Sequence, residues 1–160
     1  HVGVICTSAT ATSQAYDDAL AAAPDVSLTK AVCPRFVEFV EAGITSGDEL
    51  RACAEGYLAS LREERIDTLI LGCTHYPLLR SLLRKVVGEK VTLVNPAYET
   101  SQALCRLLRE LDLENPGNDE LGRQKYQFFA SDGVERFNAF AHSVLPEQIS
   151  DTKQVQIENY

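Results

Sequence analysis

Three residues inside "LILGCTHYPLL" (Leu69 to Leu79) are of types that handle protons or anions: Cys73, Thr74 and His75. An apolar run precedes them and Pro77 opens another, so they fall where a strand gives way to a helix. At such a junction, free backbone N–H groups and the helix dipole favour an anion. The same field favours the thiolate form of a cysteine, and a neighbouring imidazolium adds to it. Cys73 is therefore a candidate base or nucleophile, with His75 as a proton relay. Thr74 offers a hydroxyl and a backbone N–H to a carboxylate. Each residue also has an ordinary rival reading. A free cysteine is commonly a small buried side chain, a histidine commonly a hydrogen-bonded one, and Thr74 can cap the helix that follows.

The elements that must position these residues alternate in type. "VGVICT" (Val2 to Thr7) reads as a strand, and "SQAYDDALAAA" (Ser13 to Ala23) as a helix stopped by Pro24. "VSLTKAVC" (Val26 to Cys33) is the next strand, followed by a short helix opened by Pro34 and closed at Gly43. A longer amphipathic helix from about Asp48 to Arg65 carries a stripe of Leu50, Cys53, Tyr57, Leu58 and Leu61. "TLILGC" (Thr68 to Cys73) has the apolar character of a central parallel strand. A helix from Pro77, the strand "VTLVN" (Val91 to Asn95) and a helix over Glu99 to Leu113 complete the series. Beyond it, "ENPGNDELGRQ" (Glu114 to Gln124) reads as a surface loop, "YQFFAS" (Tyr126 to Ser131) as a strand and "VERFNAFAHSVL" (Val134 to Leu145) as a helix. A weakly structured tail is expected from Pro146.

This alternation predicts an α/β protein, a parallel sheet flanked by helices, Rossmann-like or flavodoxin-like. Ligands in such sheets sit beyond the carboxyl ends of the strands. Three places qualify: Thr7 to Thr10, the turn after Cys33, and Cys73 to Tyr76. Thr7 and Thr10 are candidate pocket residues, with helix capping as the alternative in so hydroxyl-rich a turn.

Composition sets the outer limits. The chain has 160 residues, 45% apolar and 24% charged, as expected of a soluble globular protein. A net charge of −8 argues against a nucleic-acid partner, and no apolar run is long enough for a membrane span. Five dispersed cysteines without a Cys-x-x-Cys pair argue against zinc and suit reduced thiols in the cytoplasm. The chain starts at His1 without a Met, so its natural N-terminus is expected to lie further upstream.

"GCTHYP" resembles the second catalytic-cysteine motif of the glutamate racemases, within the aspartate/glutamate racemase superfamily. "GVICTSAT", "CPRFVEFVEAG", "VTLVNPAYETSQAL" and "FFASDGVERFNAFA" resemble further segments of that family, so the likeness covers nearly the whole chain. The resemblance implies racemisation of glutamate, supplying D-glutamate for peptidoglycan, with no cofactor. Two cysteines work on opposite faces of the substrate Cα. It makes Cys73 the second of them, assisted by His75, with Glu41 orienting His75 and Thr74, Thr7 and Thr10 holding substrate. A Glu on an amphipathic helix can equally be merely solvated.

The departures are as informative. The family's first catalytic cysteine lies in Ala-Cys-Asn-Thr-Ala after a strand carrying Asp-Ser. Here Cys6 is followed by Thr-Ser and Cys33 by Pro. Asn95 stands where the family commonly has Asp. Residues 1–95 are therefore expected to form the second racemase domain without its first strand. Residues 96–160 are expected to return to an absent N-terminal domain. Such a chain is not expected to racemise alone, and a homodimer is a possible assembly. The rival expectations are a racemase of aspartate or a related acid, or a non-catalytic, self-associating fragment.

Overall fold

β-branched and leucine-rich runs of three to five residues, too short and too extended in preference for helices, form the sheet. The computed structural model describes residues 1–115, 127–145 and 152–157. Its strands are β1 (Val2–Cys6), β2 (Leu28–Val32), β3 (Thr68–Gly72) and β4 (Thr92–Val94), all parallel, in the order β2-β1-β3-β4. β1 lies inside the sheet, and its Val4, Ile5 and Cys6 are fully buried.

The strand order creates the site. The chain leaves β1 to one side to make β2, then crosses to the other side to make β3. The direction of winding thus reverses between β1 and β3, where a crevice opens at the carboxyl edge. Cys6 pairs with Gly72 in the register, so Thr7 and Cys73 are the next residues to leave the sheet on either side of that crevice.

The helices are α1 (Ser8–Thr12), α2 (Ala15–Leu20), α3 (Arg35–Glu41), α4 (Asp48–Glu63), α5 (Arg80–Val87) and α6 (Pro96–Glu110). The helix expected over Ser13 to Ala23 is the shorter α2, and a further short helix, α1, precedes it. Gln14 adopts a left-handed φ of 55° and breaks the path between α1 and α2. Pro34 precedes α3 as expected, and Gly43 at φ 74° takes the chain out of it. The buried face of α4 is Leu50, Ala54, Leu58 and Leu61, while Cys53 and Tyr57 sit at its margin. After β3 the chain makes a tight 3-10 turn (Tyr76–Leu79) before α5 begins, and Gly88 ends α5 at φ 95°.

α4 packs on β2 and α5, and α3 packs on the 3-10 turn. Phe36 and Tyr76 are the largest side chains in this layer, both fully buried, with rings edge to face at 5.5 Å. α6 behaves differently. It has no buried residue, and its Tyr98, Leu104 and Leu107 are exposed.

The chain divides into two compact units, residues 1–111 and 112–160. α6 thus belongs to the first unit, although the expected return to another domain starts at residue 96. In the second unit, β5 (Phe129–Ala130) pairs in parallel with β6 (Lys153–Gln154), and α7 (Val134–Val144) follows Gly133. Most of the expected loop 114–124, the start of the strand expected at Tyr126 and most of the tail from Pro146 lie outside the described residues.

Candidate active site

The turn after β3 is built on Tyr76. Its buried hydroxyl donates a 2.8 Å hydrogen bond to the carbonyl oxygen of Cys33, in the turn after β2. Its ring meets Phe36, which in turn stacks edge to face on Tyr57 at 5.3 Å. Burial pushes the phenol of Tyr76 far above its ordinary range, so it remains a neutral donor. A buried ring with a satisfied hydroxyl is a rigid anchor, and Cys73 to His75 are tied to it directly.

Around that anchor three expected residues come together. Cys73 Sγ lies 3.8 Å from His75 Nδ1. On the far side of the ring, His75 Nε2 lies 3.6 Å from Glu41 Oε1, at the end of α3. The imidazole therefore bridges a thiol and a carboxylate, one nitrogen to each. Such an arrangement has the geometry of a proton relay between sulfur and ring, with a carboxylate at the opposite nitrogen. Glu41 is separated from Cys73 by more than thirty positions, and only the packing of α3 against the 3-10 turn joins them.

The threonines fall into two places. Thr74 is exposed, and its Oγ1 lies 3.3 Å from His75 Nδ1, beside the thiol. Thr7 and Thr10 stand together across the crevice, at the end of β1. Their hydroxyls are 3.1 Å apart, and Thr7 Oγ1 accepts a 3.4 Å bond from the Thr10 backbone N–H. Thr7 is thus the N-cap of α1, as the alternative reading had it, yet it occupies the site edge as well.

The other cysteines differ sharply from Cys73. Burial pushes the Cys33 thiol up to about 12 and raises that of Cys6, which keeps both protonated. Cys53 is raised by burial too, and Cys105 is exposed on α6. Among the described residues, no group of three or more His, Cys, Asp or Glu side chains is placed to hold a metal ion. No helix among them is long and apolar enough to cross a membrane.

Two residues escaped the sequence reading. Tyr16, on α2, lies over Gly72, and a Cβ on that glycine would fall 3.0 Å from the phenolic oxygen and 2.8 Å from the Ile5 carbonyl oxygen. A glycine ending a strand next to the candidate Cys73 was the available signal for a close approach of this kind. Nothing in the pattern of α2 pointed to Tyr16 itself.

A flavodoxin-like strand order places a thiol, an imidazole and a carboxylate together at its switch point. The Asp/Glu/hydantoin racemase family model matches residues 1–104, and the chain belongs to that family. A glutamate racemase of Mycobacterium avium is 45% identical over 157 residues, which is 97% of this chain and 57% of that protein. One from Mycobacterium tuberculosis is 54% identical over 116 residues, covering 72% of this chain and 43% of the relative. Among solved structures, the glutamate racemase of Francisella tularensis in complex with D-glutamate superimposes with a TM-score of 0.89 at 31% identity. That match covers 99% of this chain and 59% of the other. The Thermus thermophilus glutamate racemase, in complex with β-chloro-D-alanine, gives 0.84 at 31% identity over 99% of this chain and 57% of its own. These matches span between 43% and 59% of the relatives' own lengths.

Proposed function

We propose that Cys73 is the thiol base for one face of a glutamate racemase site. The observation that carries this reading is the Cys73–His75–Glu41 chain beside the β1/β3 crevice. As a thiolate, Cys73 removes the Cα proton of L-glutamate, and the electron pair left on Cα is delocalised into the carboxylate. A second thiol returns a proton to the opposite face, which inverts the centre and leaves every other bond unchanged. His75 exchanges the captured proton, and Glu41 keeps the ring aligned. Thr74, Thr7 and Thr10 supply hydroxyls for the substrate's polar groups.

The opposing thiol belongs to a region outside these 160 residues, since no cysteine here is followed by Asn-Thr. The segment from residue 96 returns to that region. Its support is the exposed apolar row Leu104, Leu107 and Leu111 along one side of α6 and its C-cap, which is without cover among the described residues. A homodimer is the other arrangement that covers this row. Free thiols suit a cytoplasmic enzyme delivering D-glutamate to the cell wall. The chain is inactive as a racemase by itself.

The test is solvent deuterium incorporation at Cα, followed by NMR, with chirality read in the same samples. The expected result is exchange of L-glutamate without inversion, abolished by Cys73→Ala. Lack of exchange with both enantiomers, or exchange that survives Cys73→Ala, overturns the role of Cys73. The matched family also takes in aspartate and hydantoin racemases. Faster exchange of L-aspartate than of L-glutamate would move the substrate to that second reading.

A further inference from the structure

Tyr16 occupies an unusual place for a residue on a short surface helix. Its phenolic oxygen and Cε2 would lie 3.0 and 3.2 Å from a Cβ on Gly72, so the ring edge uses the space that this glycine leaves open. Gly72 is the last residue of β3, pairs with Cys6 across the sheet, and immediately precedes Cys73. Two links fix the helix that carries the ring. Asp17, the next residue, forms an ion pair with Lys30 on β2, and the left-handed turn at Gln14 sets the direction in which α2 starts.

We propose that Tyr16 is a positioning residue for Cys73: its ring clamps the Gly72–Cys73 backbone against β1, and its hydroxyl presents a neutral dipole to the thiolate side of the crevice. The proposal rests on the reading of Cys73 as the working thiol. Burial raises the Tyr16 phenol above its ordinary range. The hydroxyl therefore stays protonated, a neutral donor beside the Gly72–Cys73 backbone. Cys6, buried and likewise held neutral, lines the same strand end without adding charge. Gly72 is the complementary half of the device, since an alanine there would meet both the Ile5 carbonyl and the ring.

The experiment is site-resolved alkylation of the full chain by iodoacetamide across pH 5 to 10, with each cysteine quantified by peptide mass spectrometry. Cys105, exposed on α6, is the internal standard. Tyr16→Phe keeps the ring and removes the hydroxyl. It is expected to move the midpoint of the Cys73 profile upward and to slow Cys73 about threefold at pH 7, with Cys105 unchanged. Tyr16→Ala is expected to slow Cys73 more strongly while the far-UV spectrum stays that of the parent. A Cys73 profile in Tyr16→Phe that superimposes on the parent's overturns the proposal and leaves the role of Cys73 intact. A parent Cys73 profile no different from that of Cys105 overturns both, and the two failures are told apart by the parent sample alone.

Discussion

Two strands of the sheet end in the same way and come to opposite uses. β2 runs into Cys33 and Pro34, and β3 into Cys73 and, four residues later, Pro77; a helix or helical turn follows each. Cys33 is fully buried, and its thiol is pushed up to about 12 by burial. Cys73 is only partly buried and stands 3.8 Å from an imidazole. The two turns are not independent, because the Tyr76 hydroxyl of the second bonds the Cys33 carbonyl of the first. On the proposed reading one turn is the footing and the other the working edge. A strand-end cysteine before a proline says little by itself; the spacing to the proline decides whether three residues remain to form an open loop.

The largest expected contrast is between the two cysteines. Cys73→Ala should lower Cα exchange of L-glutamate by roughly 10²–10⁴-fold, the usual worth of a positioned base. Cys33→Ala should leave exchange within about twofold and instead lower the urea midpoint, through the small cavity it creates. If the two variants lose exchange equally, the division of roles fails.

The link between the turns can be cut in two degrees. Tyr76→Ala removes a fully buried ring and should cost about 3–5 kcal/mol in denaturant unfolding. Tyr76→Phe keeps the ring and strands the buried Cys33 carbonyl, at about 1–3 kcal/mol. In the second variant Cys73 should still be alkylated, only with a broader spread of rates. Unchanged stability in Tyr76→Phe would show that the hydroxyl does not join the turns.

Glu41 sharpens the picture from the other side of the imidazole. Its carboxylate is half exposed and 3.6 Å from His75, so its pull is screened by solvent. Glu41→Gln should therefore slow exchange only about two- to fivefold, on the order of an exposed ion pair. His75→Ala should exceed it, since it removes the group that contacts the thiol. The reverse ranking would place the working contact at Glu41.

The smallest effect concerns acid pH. The hydrogen bond from Lys30 holds the Asp17 carboxyl below its usual range. A carboxyl depressed in the folded state adds stability that is complete above its unfolded value, about 3.9, and is lost as pH falls through the lower folded value. Lys30→Gln should thus raise the midpoint of acid unfolding slightly, read by circular dichroism below pH 4. At neutral pH Cys73 should become marginally slower to alkylate as α2 loosens.

Much of the architecture was legible because local signals agreed. Pro34, Gly43 and Gly88 punctuate the helices where the structure has them, and the leucine and β-branched runs became strands. Cys73, Thr74 and His75 were legible because they share one loop. Glu41 approached them only through family resemblance, since its position depends on how α3 packs on the 3-10 turn. The short helix α1 was hidden in a hydroxyl-rich turn that read as capping residues, and the left-handed Gln14 between it and α2 left no local signal. On α4 the stripe was read with Cys53 and Tyr57 in place of Ala54, because the small side chain carries little signal yet faces the core. The pairing of β5 with β6 joins segments more than twenty positions apart and left no local trace.

The most direct measurement is the alkylation rate of Cys73 relative to Cys33 in the native chain at pH 7, with and without L-glutamate. The account predicts that Cys73 reacts at least about 100-fold faster than the buried, protonated Cys33, and that L-glutamate slows Cys73 alone. Equal rates for the two thiols, or a Cys73 rate indifferent to L-glutamate, would contradict it.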